Sequence, residues 1–131
     1  MSVESPKVVA VMSDLFFSAK VRDEARKLGM ITVIVKDQAE ALDHIKSGAA
    51  VAILDLNCAS SDPLGLIAKI KSDPETAGVG IIGFVSHVQT DLRQKASDGG
   101  CDRVVARSVF ARDLPELLKR FAPAPAVHAA H

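Results

Sequence analysis

The chain has 131 residues, 48% of them hydrophobic, and its sixteen Lys and Arg are balanced by sixteen Asp and Glu. That length suits one domain with a single hydrophobic core, and zero formal charge leaves no net field to gather nucleic acid or anionic lipid, which argues against a non-specific binder of either. No apolar run approaches the roughly 20 residues that span a bilayer, and Met1-Ser2-Val3-Glu4 lacks the basic-then-apolar layout of a signal peptide; a soluble, cytoplasmic protein without membrane insertion is expected.

In chain order, Val8 to Met12 is an apolar run of strand length. Asp14 stands just ahead of the helical stripe Phe17, Val21, Ala25 and Leu28, which Gly29 stops. Ile31 to Val35 is a second strand, and Asp37 with Glu40 three residues on reads as a capping box opening a second helix. Val51 to Leu54 is a third strand. Asp62-Pro63 opens the next helix, the Asp side chain accepting from first-turn amides while Pro fills a position that needs no N–H. A fourth strand covers Val79 to Val85, and Gly99-Gly100 ends the helix after it. Val104 and Val105 mark a fifth strand, and Leu114, Leu117, Leu118 and Phe121 form a stripe on the last helix, which also bears Phe110 and is read as core. Residues 1–121 form the domain. Residues 122–131, Ala-Pro-Ala-Pro-Ala-Val-His-Ala-Ala-His, have too little apolar bulk to pack and are expected to be a flexible tail in which His128 and His131 are solvated.

Continuous apolarity in each strand implies burial on both faces, hence a parallel sheet. Five strand-then-helix units with right-handed crossovers give a doubly wound α/β sheet whose functional edge lies at the carboxyl ends of the strands. Met12-Ser13-Asp14-Leu15-Phe16-Phe17 follows the first strand where a nucleotide binder would carry a Gly-rich loop, and neither G-x-G-x-x-G nor G-x-x-x-x-G-K-[ST] occurs. A small-ligand or nucleotide-binding enzyme on the same fold is therefore the least supported reading. Cys58 and Cys101 are isolated thiols that suit a reducing compartment.

Several segments fall in order at a recognisable spacing. Asp55 closes the third strand and begins Asp55-Leu56-Asn57-Cys58-Ala59-Ser60-Ser61-Asp62-Pro63-Leu64; Lys71-Ser72-Asp73-Pro74-Glu75-Thr76-Ala77 precedes the fourth strand, Val85-Ser86-His87 ends it, and Gly100-Cys101-Asp102 leads through the fifth strand to Arg107. From about Lys7 to Phe121 the chain resembles the CheY-like response-regulator receiver domain of two-component systems, in an atypical, pseudo-receiver-like form. The resemblance implies a flavodoxin-like five-stranded parallel sheet of order 2-1-3-4-5 with helices on both faces. It also implies Asp55 at the phosphoacceptor position, Ser86 and Arg107 at the phosphoryl-contact positions, and the Asn57 backbone carbonyl as a magnesium ligand, so that the Asn57 side chain need not matter. The aromatic switch position falls on Val104.

The departures from that pattern bear on the chemistry. Met12 and Ser13 stand where receivers carry an acidic pair, Arg107 replaces the family Lys, Ser108 the Pro after it, Cys58-Ala59 the Met-Pro after the acceptor, and Pro63 the Gly after Asp62. Magnesium prefers octahedral oxygen ligands, so a thioether and a neutral hydroxyl are poor replacements, and metal binding by Asp55, Asn57 and Asp14 is expected to be weak or lost. Two roles stand open for Asp14, helix N-cap or substitute for the lost pair. Arg107 either pairs bidentately with Asp55 or faces solvent. Asp55 at a strand end can also cap the following turn, and a small polar residue such as Ser86 is common at strand ends. Cys58 and His87 lie on the same edge, where a packed Cys and a surface His are the ordinary roles and a redox or metal site the alternative.

Taken together, the expectation is a stand-alone, non-enzymatic receiver-like domain in phosphorelay signal transduction. It would act by contact with signalling proteins, a histidine kinase or a downstream effector, through the strand 4/helix 4 to strand 5/helix 5 face, with a degenerate magnesium and phosphoacceptor site. The alternative is a working phosphoacceptor, phosphorylated on Asp55 with magnesium, in which Asp14 stands in for the missing acidic pair.

Overall fold

Each apolar run becomes a strand and each intervening segment a helix in the computed structural model, which describes residues 6–86 and 90–122. In order these are β1 (Lys7–Val11), α1 (Leu15–Lys27), β2 (Ile31–Val35), α2 (Gln38–Lys46), β3 (Val51–Asp55), a short 3-10 turn (Ala59–Ser61), α3 (Pro63–Ser72), β4 (Gly80–Val85), α4 (Thr90–Gly99), β5 (Arg103–Ala106) and α5 (Arg107–Lys119). The strands form one sheet of order β2-β1-β3-β4-β5, every neighbouring pair parallel. This is the doubly wound 2-1-3-4-5 arrangement expected from the sequence.

The two-residue strand period sorts the side chains into two cores. Val8, Ala10, Met12, Ile53 and Phe84 face one side, where α1 and α5 cover them with Val21, Ala25, Phe110, Leu114, Leu117 and Leu118. Val9, Val11, Leu54, Ile81 and Val85 face the other, against Ile45 of α2, Leu66, Ile67 and Ile70 of α3 and Ala96 of α4. The Leu114, Leu117 and Leu118 stripe is core, as expected, and Phe121 and Ala122 pack at its margin. α5 runs through Pro115, whose ring nitrogen has no hydrogen to give the preceding turn.

Burial of every strand on both faces does not hold for β2. Lying at the sheet edge, it has a neighbour on one side only, and Ile31 is 55% exposed while Thr32 to Ile34 are half-buried.

The helix signals act as read. Asp37 Oδ accepts from the Glu40 amide at 2.8 Å, and Asp62 accepts from the Gly65 amide at 3.3 Å with Pro63 behind it. Gly29 (φ 78°) and Gly100 (φ 116°) take the left-handed conformation that turns the chain out of α1 and α4, at no Cβ cost. Among the described residues no helix is long and apolar enough to cross a membrane.

Candidate functional site at the carboxyl edge of the sheet

The carboxyl ends of β1, β3, β4 and β5 bring Asp14, Asp55, Asn57, Ser86 and Arg107 to one edge. Asp55 is the last residue of β3, half-buried and in register with Phe84 of β4, which is in register with Val105 of β5. Ile53 faces the α1/α5 side, so the strand period carries the Asp55 side chain to that same face. One carboxylate oxygen of Asp55 accepts from the Asn57 amide at 2.9 Å, the local turn expected of an Asp at a strand end.

Asn57 does more than its backbone suggests. Its side-chain oxygen accepts from the Ser86 amide at 2.8 Å, tying the loop after β3 to the end of β4. The expectation that this side chain need not matter is corrected by that bond. The sequence signal was present but faint: a carboxamide two residues past one strand, level with the end of the adjacent strand. Ser86 is exposed at the end of β4, and Ser13 is exposed after β1.

Asp14 is the N-cap of α1. One of its oxygens accepts from the Phe17 amide at 3.0 Å, and the other is ion-paired with the Arg107 guanidinium. The Phe17 amide, foremost, and then the Arg107 charge hold the Asp14 carboxyl below the usual carboxylate range, against partial desolvation that acts the other way. The Arg107–Asp55 pairing raised from the sequence is thus replaced by Arg107–Asp14. Nor does Arg107 simply face solvent: its side chain is 31% exposed, and its guanidinium carbon lies 4.1 Å from the centroid of Phe17 and 5.7 Å from that of Phe84. Beneath it Phe84 and Phe110 stack at 4.7 Å, with Phe17 at 5.5 Å from Phe84 and 5.8 Å from Phe110.

The other residues singled out are placed as follows. Met12 is fully buried in the α1/α5 core, its thioether part of the packing. Val104 is half-buried on β5; its carbonyl accepts from an Arg93 guanidinium N–H at 3.3 Å, and it lines a shallow cleft with Thr90, Gln94 and Ser97. Cys58 is a buried thiol 3.5 Å from the Ser60 hydroxyl, and burial pushes the Cys101 thiol up to about 11. His87, His128 and His131 lie outside the described residues. Among the described residues no group of three or more His, Cys, Asp or Glu is placed to hold a metal ion.

This architecture, a 2-1-3-4-5 parallel sheet between two helix layers with an acid at the end of β3, is the fold of CheY-like receivers. The cyanobacterial phytochrome response regulator RcpA superposes with a TM-score of 0.77 at 16% identity, covering 89% of this chain and 94% of its own. The chemotaxis response regulator CheY4 of Vibrio cholerae gives 0.77 at 17% identity, covering 89% and 98%. The receiver domain of the Pseudomonas aeruginosa sensor histidine kinase PA1611, solved with magnesium coordinated in its active-site cleft, gives 0.76 at 16% identity, covering 89% and 97%. No protein-family model and no curated protein sequence matches the chain.

Proposed function

We propose that this domain is a receiver-like module of two-component signalling that works by protein–protein contact, with phosphorylation of Asp55 weakened or absent. The observation that carries this reading is the state of Asp14. Both of its oxygens are engaged, one by the Phe17 amide and one by Arg107, while Met12 is packed in the core and Ser13 brings only a hydroxyl. Asp55 and the Asn57 carbonyl then make a donor set that does not fit magnesium, which needs several hard oxygen ligands and carboxylate charge. Without a cation to neutralise the transferring group, phosphoryl transfer to a carboxylate is strongly opposed by charge repulsion.

The contact surface we assign is the α4–β5–α5 face, where Val104, Arg93, Gln94 and Ser97 border the shallow cleft. With Val104 in place of an aromatic residue, that face has no ring whose rotamer could report the state of Asp55. A cognate signalling protein, kinase or effector, would read a constant surface.

Incubation with acetyl phosphate and magnesium, followed by intact-mass measurement, tests the reading. The expected result is no phosphate-sized gain and no saturable magnesium binding. A magnesium-dependent gain that disappears in Asp55→Asn would overturn it in favour of a working phosphoacceptor.

A further inference from the structure

The sheet has two edges, and they are finished differently. The β5 edge is the shorter strand, it begins with the exposed cation Arg103, and an Arg93 guanidinium N–H from α4 reaches over to the Val104 carbonyl at 3.3 Å. At the β2 edge, among the described residues, no side chain bonds to the strand backbone. Ile31 donates its amide to the Pro6 carbonyl and the Val35 carbonyl accepts from the Met12 amide, so the parallel ladder to β1 uses Ile31, Val33 and Val35. The N–H and C=O groups of Thr32 and Ile34 therefore point away from the sheet. Ile31 is 55% exposed, and the run Ile31-Thr32-Val33-Ile34-Val35 holds none of the charges or prolines that keep an edge strand from pairing.

We propose that β2 pairs antiparallel with β2 of a second copy of this chain, joining two five-stranded sheets into one. Centred on Val33, this register sets Thr32 opposite Ile34 of the second copy, and each such pair exchanges both of its N–H···O=C bonds, so every outward group of the two residues is used. Val33 then meets its own counterpart and Ile31 meets Val35, so that all the facing side chains are β-branched and suited to cross-strand packing. Charge at the strand ends favours the same direction. α1 ends on Arg26 and Lys27 just before β2, whereas α2 starts with Asp37 and Glu40 just after it, outnumbering Lys36 there. Antiparallel pairing brings the basic end of one copy to the acidic end of the other, and parallel pairing would set like against like. With zero formal net charge, the two copies carry no overall repulsion. Because β5 lies at the far edge of the sheet, the pair leaves both α4–β5–α5 faces open, and a signalling protein with two recognition elements would be held bivalently.

A short strand and its flanking helix ends make a small interface, and interfaces below about 1,200 Å² are weak, so the association is sought from about 10 μM to about 1 mM. Sedimentation velocity over that range should show the mass rise from 13.8 kDa toward twice that value. Amide exchange by NMR locates the contact: Val33 and Val35 should be protected at every concentration, and Thr32 and Ile34 only as the dimer forms. Thr32→Pro removes an outward N–H and no ladder bond, and Ile31→Lys puts a cation at an exposed edge position. Each should weaken association at least about tenfold while leaving the urea midpoint of the dilute protein within the range of a surface substitution. The Lys variant serves alone if the Pro variant folds poorly. An unchanging mass, or self-association that survives these substitutions, would overturn the proposal. So would protection of Thr32 and Ile34 at all concentrations, which would mean that the chain covers its own edge. The phosphorylation assay reads Asp55 and succeeds or fails independently of this association.

Discussion

Replacing Asp14 separates what its cap contributes from what its charge contributes. The cap is the bond from the Phe17 amide at 3.0 Å, and loss of such a cap costs about 1 kcal/mol. The charge acts on the α1 N-terminus, worth about 0.3–1 kcal/mol, and on Arg107. Both members of that pair are about a third exposed, so solvent screening limits the pair to about 0.5 kcal/mol. Asp14→Ala should therefore destabilise the domain by about 2 kcal/mol at pH 7, and Asp14→Asn by about 1 kcal/mol. The two losses differ in pH dependence. The folded Asp14 carboxyl titrates below its unfolded value, so its charge contributes stability that is complete above the unfolded pKa and is lost as pH falls through the folded one. Below about pH 4 the advantage of the native protein over Asp14→Asn should shrink toward zero, whereas the gap between the Asn and Ala variants should persist, because a cap needs no charge. Urea unfolding at pH 7 and at pH 3, with unchanged slope, measures both. If Asn costs as much as Ala at pH 7, or if the Asn–Ala gap closes in acid, Asp14 does not cap α1 in the way described.

The aromatic platform and the buried thiol give two further expectations. Phe84→Leu should cost about 1–3 kcal/mol, since Phe84 is fully buried and loses its ring contacts with Phe110 and Phe17, whereas Phe16→Ala, at a residue 83% exposed, should stay within about 0.5 kcal/mol; equal urea midpoints for the two would contradict the assignment of the α1/α5 core. Cys101, with its thiol pushed up to about 11 by burial, has about a thousandth of its population as thiolate at pH 8, so iodoacetamide should modify it only as fast as urea opens the fold. Rapid stoichiometric labelling of Cys101 in the native protein would contradict its placement against the Ile81 and Arg103 carbonyls.

Much of the fold could be read locally because its signals are local. Apolar runs of strand length, an Asp three residues ahead of an amide that needs an acceptor, and a Gly where φ must turn positive each depend on a few neighbouring residues. The exposure of β2 could not be read that way: Ile31 to Val35 is as apolar as Val51 to Leu54, and only the strand order decides which of the two runs has a neighbour on one side. The same limit explains the site. Asp55 is legible as an acid closing an apolar strand, but the partner of Arg107 is 93 residues away along the chain.

Beside that pair lies Phe17, which touches both of its members. Phe17 first enters as one member of a helical stripe, a residue whose only task is to bury area. In the folded domain its amide donates to Asp14 while its ring carries the Arg107 guanidinium. Cap, ion pair and cation–π contact therefore link Asp14, Arg107 and Phe17 in a closed triangle in which each residue takes part in two of the three. An Asp at position 14 without Phe17 would keep its charge but lose the ring against which the Arg107 guanidinium is held. Phe17→Leu should then weaken the Asp14–Arg107 pair while leaving the cap bond in place, seen as a smaller double-mutant coupling between Asp14→Asn and Arg107→Ala in urea unfolding than in the native background. That expectation distinguishes a positioned guanidinium from one drawn by charge alone, which would keep its full coupling to Asp14 in the Leu variant.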